Sequence, residues 1–119
     1  MKKILIVDDQ LEVRELVEVT MRAGDYHILQ AKSGEEAIEI AKSEKPDLII
    51  MDIMMPGGMD GLEAALILKQ QYDTPVIFVT GYGNEEISDK AASIGHYGFL
   101  TKPVTIEKLK RTIEKALSR

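Results

Sequence analysis

The chain has no cysteine and no tryptophan, and its aromatic content is only 5%. Without cysteine there is no disulfide, no thiolate zinc site and no cysteine nucleophile, so any covalent chemistry must fall to other side chains. An apolar run near the roughly 20 residues needed to cross a bilayer is also missing. The opening MKKILIVDD turns acidic too early for a signal peptide, so a cytoplasmic location without a membrane partner is expected. A surplus of positive charge is absent as well. With 15 Lys and Arg against 20 Asp and Glu, the net charge is −5, which argues against direct binding of nucleic acid, since phosphate backbones attract basic patches. The basic cluster KLKR at 108–111 reads as one solvated helix face.

What is present suits a globular fold. At 119 residues the chain fits one domain, 1–119, and leaves no room for a second folded unit such as an output domain. Five short apolar runs have strand length: ILIV (4–7), YHILQA (26–31), LIIM (48–51), VIFVT (76–80) and GFLT (98–101). Helical patterns lie between them. In the first, Val13, Leu16, Val17, Thr20 and Met21 follow three-four spacing before Gly24; the second opens with a capping box, Ser33 and Glu36, and cannot pass Pro46. Residues 60–71, 84–94 and 105–118 form the third to fifth. In the last, Ile106, Leu109, Ile113, Ala116 and Leu117 make one apolar stripe.

Strands alternating with helices predict an α/β fold with a doubly wound parallel sheet. ILIV, LIIM and VIFV are continuously apolar, as strands covered on both faces should be, whereas the second and fifth runs carry polar residues suited to edges. This favours the order 2-1-3-4-5, although the pattern alone admits others. Ligands bind such sheets beyond the carboxyl ends of the strands, where this chain delivers Asp8 and Asp9, Asp52, Thr80, and Lys102 followed by Pro103. Taken alone, each Asp could be a helix cap. Together they make three carboxylates, a hydroxyl and an ammonium at one rim, a set suited to Mg²⁺ and phosphoryl transfer onto a carboxylate. Asp52, on the central strand, is the expected acceptor.

The motifs VDD (7–9), MDIMMP (51–56), MDG (59–61), VTGYG (79–83) and LTKP (100–103) resemble those of response-regulator receiver domains, in order and across essentially the whole chain. The resemblance implies a flavodoxin-like (βα)5 fold. It implies that Asp52 accepts a phosphoryl group from a phosphohistidine on a sensor histidine kinase or histidine phosphotransfer protein. Asp9, Asp52 and the Met54 backbone carbonyl would hold Mg²⁺, for which Mn²⁺ can substitute, with Asp8 assisting through water. Lys102 would pair with the phosphoryl oxygens, and the Lys102–Pro103 peptide would be cis. Thr80 and Phe99 would be a switch pair shifting the face from the fourth to the fifth helix, which engages a downstream protein. The start of the first helix, at Gln10 and Leu11, would meet the phosphodonor. The implied protein is a phosphoacceptor rather than a true enzyme, monomeric or weakly dimeric when phosphorylated.

Two features depart from the family pattern. PGGMDG at 56–61 holds two glycines where one residue is usual between Pro and MDG; either the loop gains mobility that affects the metal, or the turn absorbs the insertion. His96 replaces a small residue, with no role assigned. Phe99 also has a plain reading as an edge-strand core residue. The competing functions are a Mg²⁺-dependent phosphatase acting through an aspartyl-phosphate, an inactive receiver-like interaction module, and a flavin-binding protein. The phosphatase reading wants its two acids spaced one residue apart, and the flavin reading wants a phosphate-binding loop in place of DDQLEV.

Overall fold

A computed structural model describes residues 1–81 and 83–118; Tyr82 of the VTGYG motif and the terminal Arg119 lie outside the described residues. Five strands, β1 (Lys2–Val7), β2 (Tyr26–Ala31), β3 (Leu48–Asp52), β4 (Val76–Thr80) and β5 (Gly98–Thr101), alternate with five helices. The helices are α1 (Leu11–Met21), α2 (Gly34–Glu44), α3 (Gly61–Tyr72), α4 (Glu85–Ile94) and α5 (Ile106–Leu117). All strand pairings are parallel, in the order β2-β1-β3-β4-β5, with the less apolar strands at the edges as the sequence predicts.

Strand pleat explains the two-sided core, because successive side chains point to opposite faces. Leu5, Val7, Ile49, Met51 and Phe78 pack with Ala37, Ala41, Ala64, Ala65, Leu68 and Ala91 of α2, α3 and α4. The alternate residues Ile4, Ile6, Leu48, Ile50 and Ile77 pack with Val17 and Met21 of α1 and Leu109, Ile113 and Ala116 of α5. A continuously apolar strand is thus one that must satisfy both layers. Two residues of the helical stripes stay outside the core: Leu16 is 60% and Ile106 50% exposed. Three-four spacing marks a helix face, but the groove where α1 and α5 meet leaves the outer edge of that face uncovered.

Several helix starts fall one residue later than the sequence reading because the capping residue stands outside the helix. Ser33 accepts from Glu36 N (3.1 Å), Asp60 from Glu63 N (2.9 Å), Asn84 from Ile87 N (2.8 Å) and Thr105 from Lys108 N (3.1 Å). The Ser33 box is only half reciprocal, since the Glu36 carboxylate accepts from Lys32 N rather than from Ser33 N. The N-cap position of α1 is Gln10, which makes no side-chain cap bond. Neither Asp8 nor Asp9 is therefore its N-cap.

Gly57 and Gly58 both adopt the positive φ that favours glycine, 72° and 108°. Gly61 answers to space instead. A Cβ there would fall on the Asp52 carbonyl oxygen and crowd Ile53, because α3 starts hard against the end of β3 with Gly61 N bonded to Ile53 O at 2.9 Å. Nothing would meet a Cβ at Gly57. Gly61→Ala is expected to cost about 1–3 kcal/mol through overpacking, and Gly57→Ala only about 1 kcal/mol from its left-handed φ. Urea denaturation of the two variants checks that order.

Candidate phosphoacceptor site

The site forms where β1, β3 and β5 end together. Parallel register places Val7 beside Met51 and Asp52 beside Val79, so the residues that follow β1 emerge next to the tip of β3. A backbone bond from Lys102 N to Thr80 O (2.8 Å) carries the pairing of β4 and β5 past the end of β5 and holds Lys102 at the same rim. Its peptide to Pro103 is cis. Ligand atoms of Asp8, Asp9 and Asp52 lie within 4.8 Å of one another, with Asp8 and Asp52 buried and Asp9 exposed.

Lys102 answers this negative charge. Its Nζ donates to Asp8 Oδ2 at 3.0 Å and stands 3.6 Å from Asp52 Oδ2. Burial works against its charged form, but the hydrogen bond to Asp8 and the charges of Asp52 and Asp8 prevail and raise its pKa above the ordinary lysine value. One ammonium does not balance the cluster. Burial first, and then the neighbouring Asp8, push Asp52 up to about 6 against the pull of Lys102 and the backbone N–H of Met54. Three crowded oxygen donors with one carboxylate resisting ionisation fit a hard, oxygen-seeking divalent cation. Asp8, Asp9 and Asp52 are the side chains that could hold one.

Thr80 and Phe99 lie on the neighbouring strands β4 and β5. Thr80, fully buried, follows the residue paired with Asp52, and on β5 Phe99 is half-buried against the α2–α4 side of the core. A side chain at Gly83 would meet both the Phe99 ring edge and the Thr80 methyl group, so these three lie together. Met54 N is 3.3 Å from Asp52 Oδ1, and the Met54 side chain is exposed beside it.

The sequence reading missed Arg14. Its Nη1 donates to the Asp8 carbonyl at 2.7 Å and its Nε to Gln30 Oε1 at 3.1 Å, while Gln30 Nε2 donates to Glu18 Oε1 at 2.9 Å. This network ties the turn that carries Asp8 and Asp9 to α1 and the edge strand β2. The available signal was a single basic residue in a helix otherwise charged by Glu12, Glu15 and Glu18. Between α1 and α5 an apolar cavity of about 500 Å³ opens toward Asp8, Asp52 and Lys102, lined by Val13, Leu16, Val17, Val104 and Ile106 among others.

A doubly wound α/β domain with a lysine-closed acidic rim at the strand carboxyl ends is the class these observations define. The family model of the response regulator receiver domain matches residues 4–114, and the chain belongs to that family, the receiver domains of two-component signalling. It is 36% identical to the transcriptional regulatory protein YdfI of Bacillus subtilis, over 98% of this chain and 55% of that protein. It is 34% identical to the transcriptional regulatory protein PdtaR of Mycobacterium tuberculosis, over 99% of this chain and 58% of that protein. The chain thus spans little more than half the length of these relatives. Among solved structures, chemotaxis protein CheY4 of Vibrio cholerae superposes with a TM-score of 0.91 at 32% identity, covering 98% of this chain and 99% of that one. A CheY-like receiver domain protein of Methanospirillum hungatei gives 0.93 at 28% identity, covering 99% and 94%.

Two outcomes follow from the charge balance. In metal-free buffer, the raised pKa of Asp52 means that its contribution to stability is full below the unfolded value of 3.8 and is lost as pH rises through about 6. Asp52→Asn is therefore expected to be more stable than wild type at pH 7–8, by about 1–3 kcal/mol, with the advantage gone near pH 4. Thermal melts in chelator across that range decide it. Adding Mg²⁺ is expected to raise the wild-type melting temperature by roughly 4 °C per kcal/mol of binding, and Asp9→Ala to abolish the rise.

Proposed function

We propose that this chain is a phosphoacceptor switch in which Asp52 receives a phosphoryl group from a phosphohistidine of a sensor kinase or phosphotransfer protein. The observation that carries this reading is the convergence of Asp8, Asp9 and Asp52 with Lys102 at one rim, with the Asp52 carboxylate buried and next to the ammonium. Asp9, Asp52 and the Met54 carbonyl would hold Mg²⁺, or Mn²⁺ in its place, with Asp8 assisting through water. When bound, the ion supplies positive charge to the oxygens of the incoming group.

The chain's own residues do the rest. An Asp52 carboxylate oxygen attacks phosphorus in line with the phosphorus–nitrogen bond; the new oxygen–phosphorus bond forms as that bond breaks, and its electron pair returns to the imidazole nitrogen. At neutral pH a group titrating at about 6 is mostly ionised, as a nucleophile must be. Lys102, freed from part of its hold on Asp52, pairs with phosphoryl oxygens. The Thr80 hydroxyl turns to the phosphoryl group and Phe99 follows it inward, altering the face formed by α4, β5 and α5. Phenylalanine has no hydroxyl, so burial alone stabilises its inward position.

Delivery of the phosphohistidine fits the groove between α1 and α5. Leu16 and Ile106 are exposed there beside the acidic rim, Leu11 is exposed at the start of α1, and a partner helix covering them would bring its histidine to Asp52. The message then passes to a downstream protein, with the chain acting as one receiver unit, monomeric or weakly dimeric when phosphorylated.

Incubation with acetyl phosphate and Mg²⁺ followed by intact mass tests the reading. A single acid-stable, base-labile phosphate on wild type, absent from Asp52→Ala, is the expected result. No adduct with any donor or metal would instead leave a receiver-like interaction module.

A further inference from the structure

His96, in the turn between α4 and β5, takes no part in the phosphoacceptor site, yet it is built into an aromatic cluster. Its ring centroid lies 5.8 Å from that of Phe78, edge-on at 78°, and 6.1 Å from that of Phe99, tilted at 47°. Phe78 and Phe99 are themselves 6.5 Å apart at 57°, so the three rings are mutual neighbours at spacings where aromatic pairs attract. Phe78 is wholly buried in β4. Phe99 is only half-buried, and its other side meets Gly83 close to the Thr80 methyl group.

His96 is half-buried, with one edge of its imidazole turned into the protein. Its Nδ1 is buried with no hydrogen-bond partner among the described residues, a cost that native structures seldom bear without a reason. Burial and the nearby Lys69 both hold its pKa below the ordinary histidine value, which favours the neutral ring. A neutral ring can stack on two phenylalanines without forcing a charge between them. The family pattern has a small residue here, which would offer no ring to Phe78 and Phe99.

We propose that His96 is a positioning residue for Phe99: its ring walls the seat that holds Phe99 inward beside Thr80, and so sets how readily Phe99 follows the Thr80 hydroxyl. The seat is a statement about the ground state. Its consequence for signalling rests on the phosphoacceptor reading above.

These 119 residues hold two phenylalanines, so ring labelling of Phe gives two sets of resonances. Nuclear Overhauser contacts from the Phe99 ring to the Thr80 methyl group and the Gly83 α-protons report the inward position. His96→Leu keeps the volume and removes the ring; it is expected to lower the inward-to-outward ratio roughly two- to tenfold, with His96→Phe restoring it. Wild-type contacts in the Leu variant, or a Phe variant no better than Leu, would overturn the proposal. Repeating the spectra with acetyl phosphate and Mg²⁺ separates the two readings. If wild type takes no phosphate, the phosphoacceptor reading fails while the donor-free spectra still decide the seat. If wild type is phosphorylated and the Leu variant's Phe99 contacts match those of wild type throughout, the seat fails alone.

Discussion

Three carboxylates held within reach of one another, with a single ammonium against them, are the constraint on which this molecule turns. Asp8 and Asp52 are buried, and at Asp52 neither burial nor the neighbouring Asp8 favours charge. Lys102 offsets part of the penalty by bonding Asp8 and lying near Asp52, but the residual strain appears as an Asp52 that resists ionisation. A site arranged this way is incomplete by design. It favours a ligand that adds positive charge.

The fold keeps this unfavourable cluster together by backbone means. Parallel register brings the tips of β1 and β3 side by side, the Lys102 to Thr80 backbone bond extends β5 into the site, and Gly61 lets α3 start directly against Asp52. Arg14 pins the carbonyl of Asp8 from α1 and ties it to Gln30 on the edge strand. None of these is a contact between the opposing charges themselves. The two-layered core supplies the stability that the site withholds, through strands whose alternate residues feed separate clusters on the two faces of the sheet.

The geometry also divides labour between those faces. The cavity beside Asp52 opens between α1 and α5, where exposed Leu16 and Ile106 border it, whereas Thr80, Phe99 and His96 belong to the side covered by α2 to α4. The cavity and the aromatic cluster therefore lie on opposite faces of one small sheet. Thr80, next along β4 from the partner of Asp52, stands at the boundary.

Much of this was legible in the chain before any coordinates. The apolar runs ILIV, LIIM and VIFV identified the central strands because a strand covered on both faces cannot alternate, and Asp8, Asp9, Asp52, Thr80 and Lys102 stood at strand ends where an α/β crevice must lie. The Ser33 cap was legible too, since serine carries its own acceptor for a free N–H, whereas Asp60 and Asn84 were read as the first residues of their helices. Other features depended on parts far apart in sequence. Spacing could not tell that Leu16 and Ile106 lie outside the core, because that depends on how closely α1 and α5 approach. Arg14 meeting the Asp8 carbonyl, and His96 meeting Phe78 and Phe99, arise from packing between elements rather than from local pattern. The sequence by itself determined the elements and the chemistry of the rim, because both are encoded in local periodicity and residue type. Only the tertiary structure decided which side chains support that rim and which faces stay open, because those depend on distances between segments that no local pattern records.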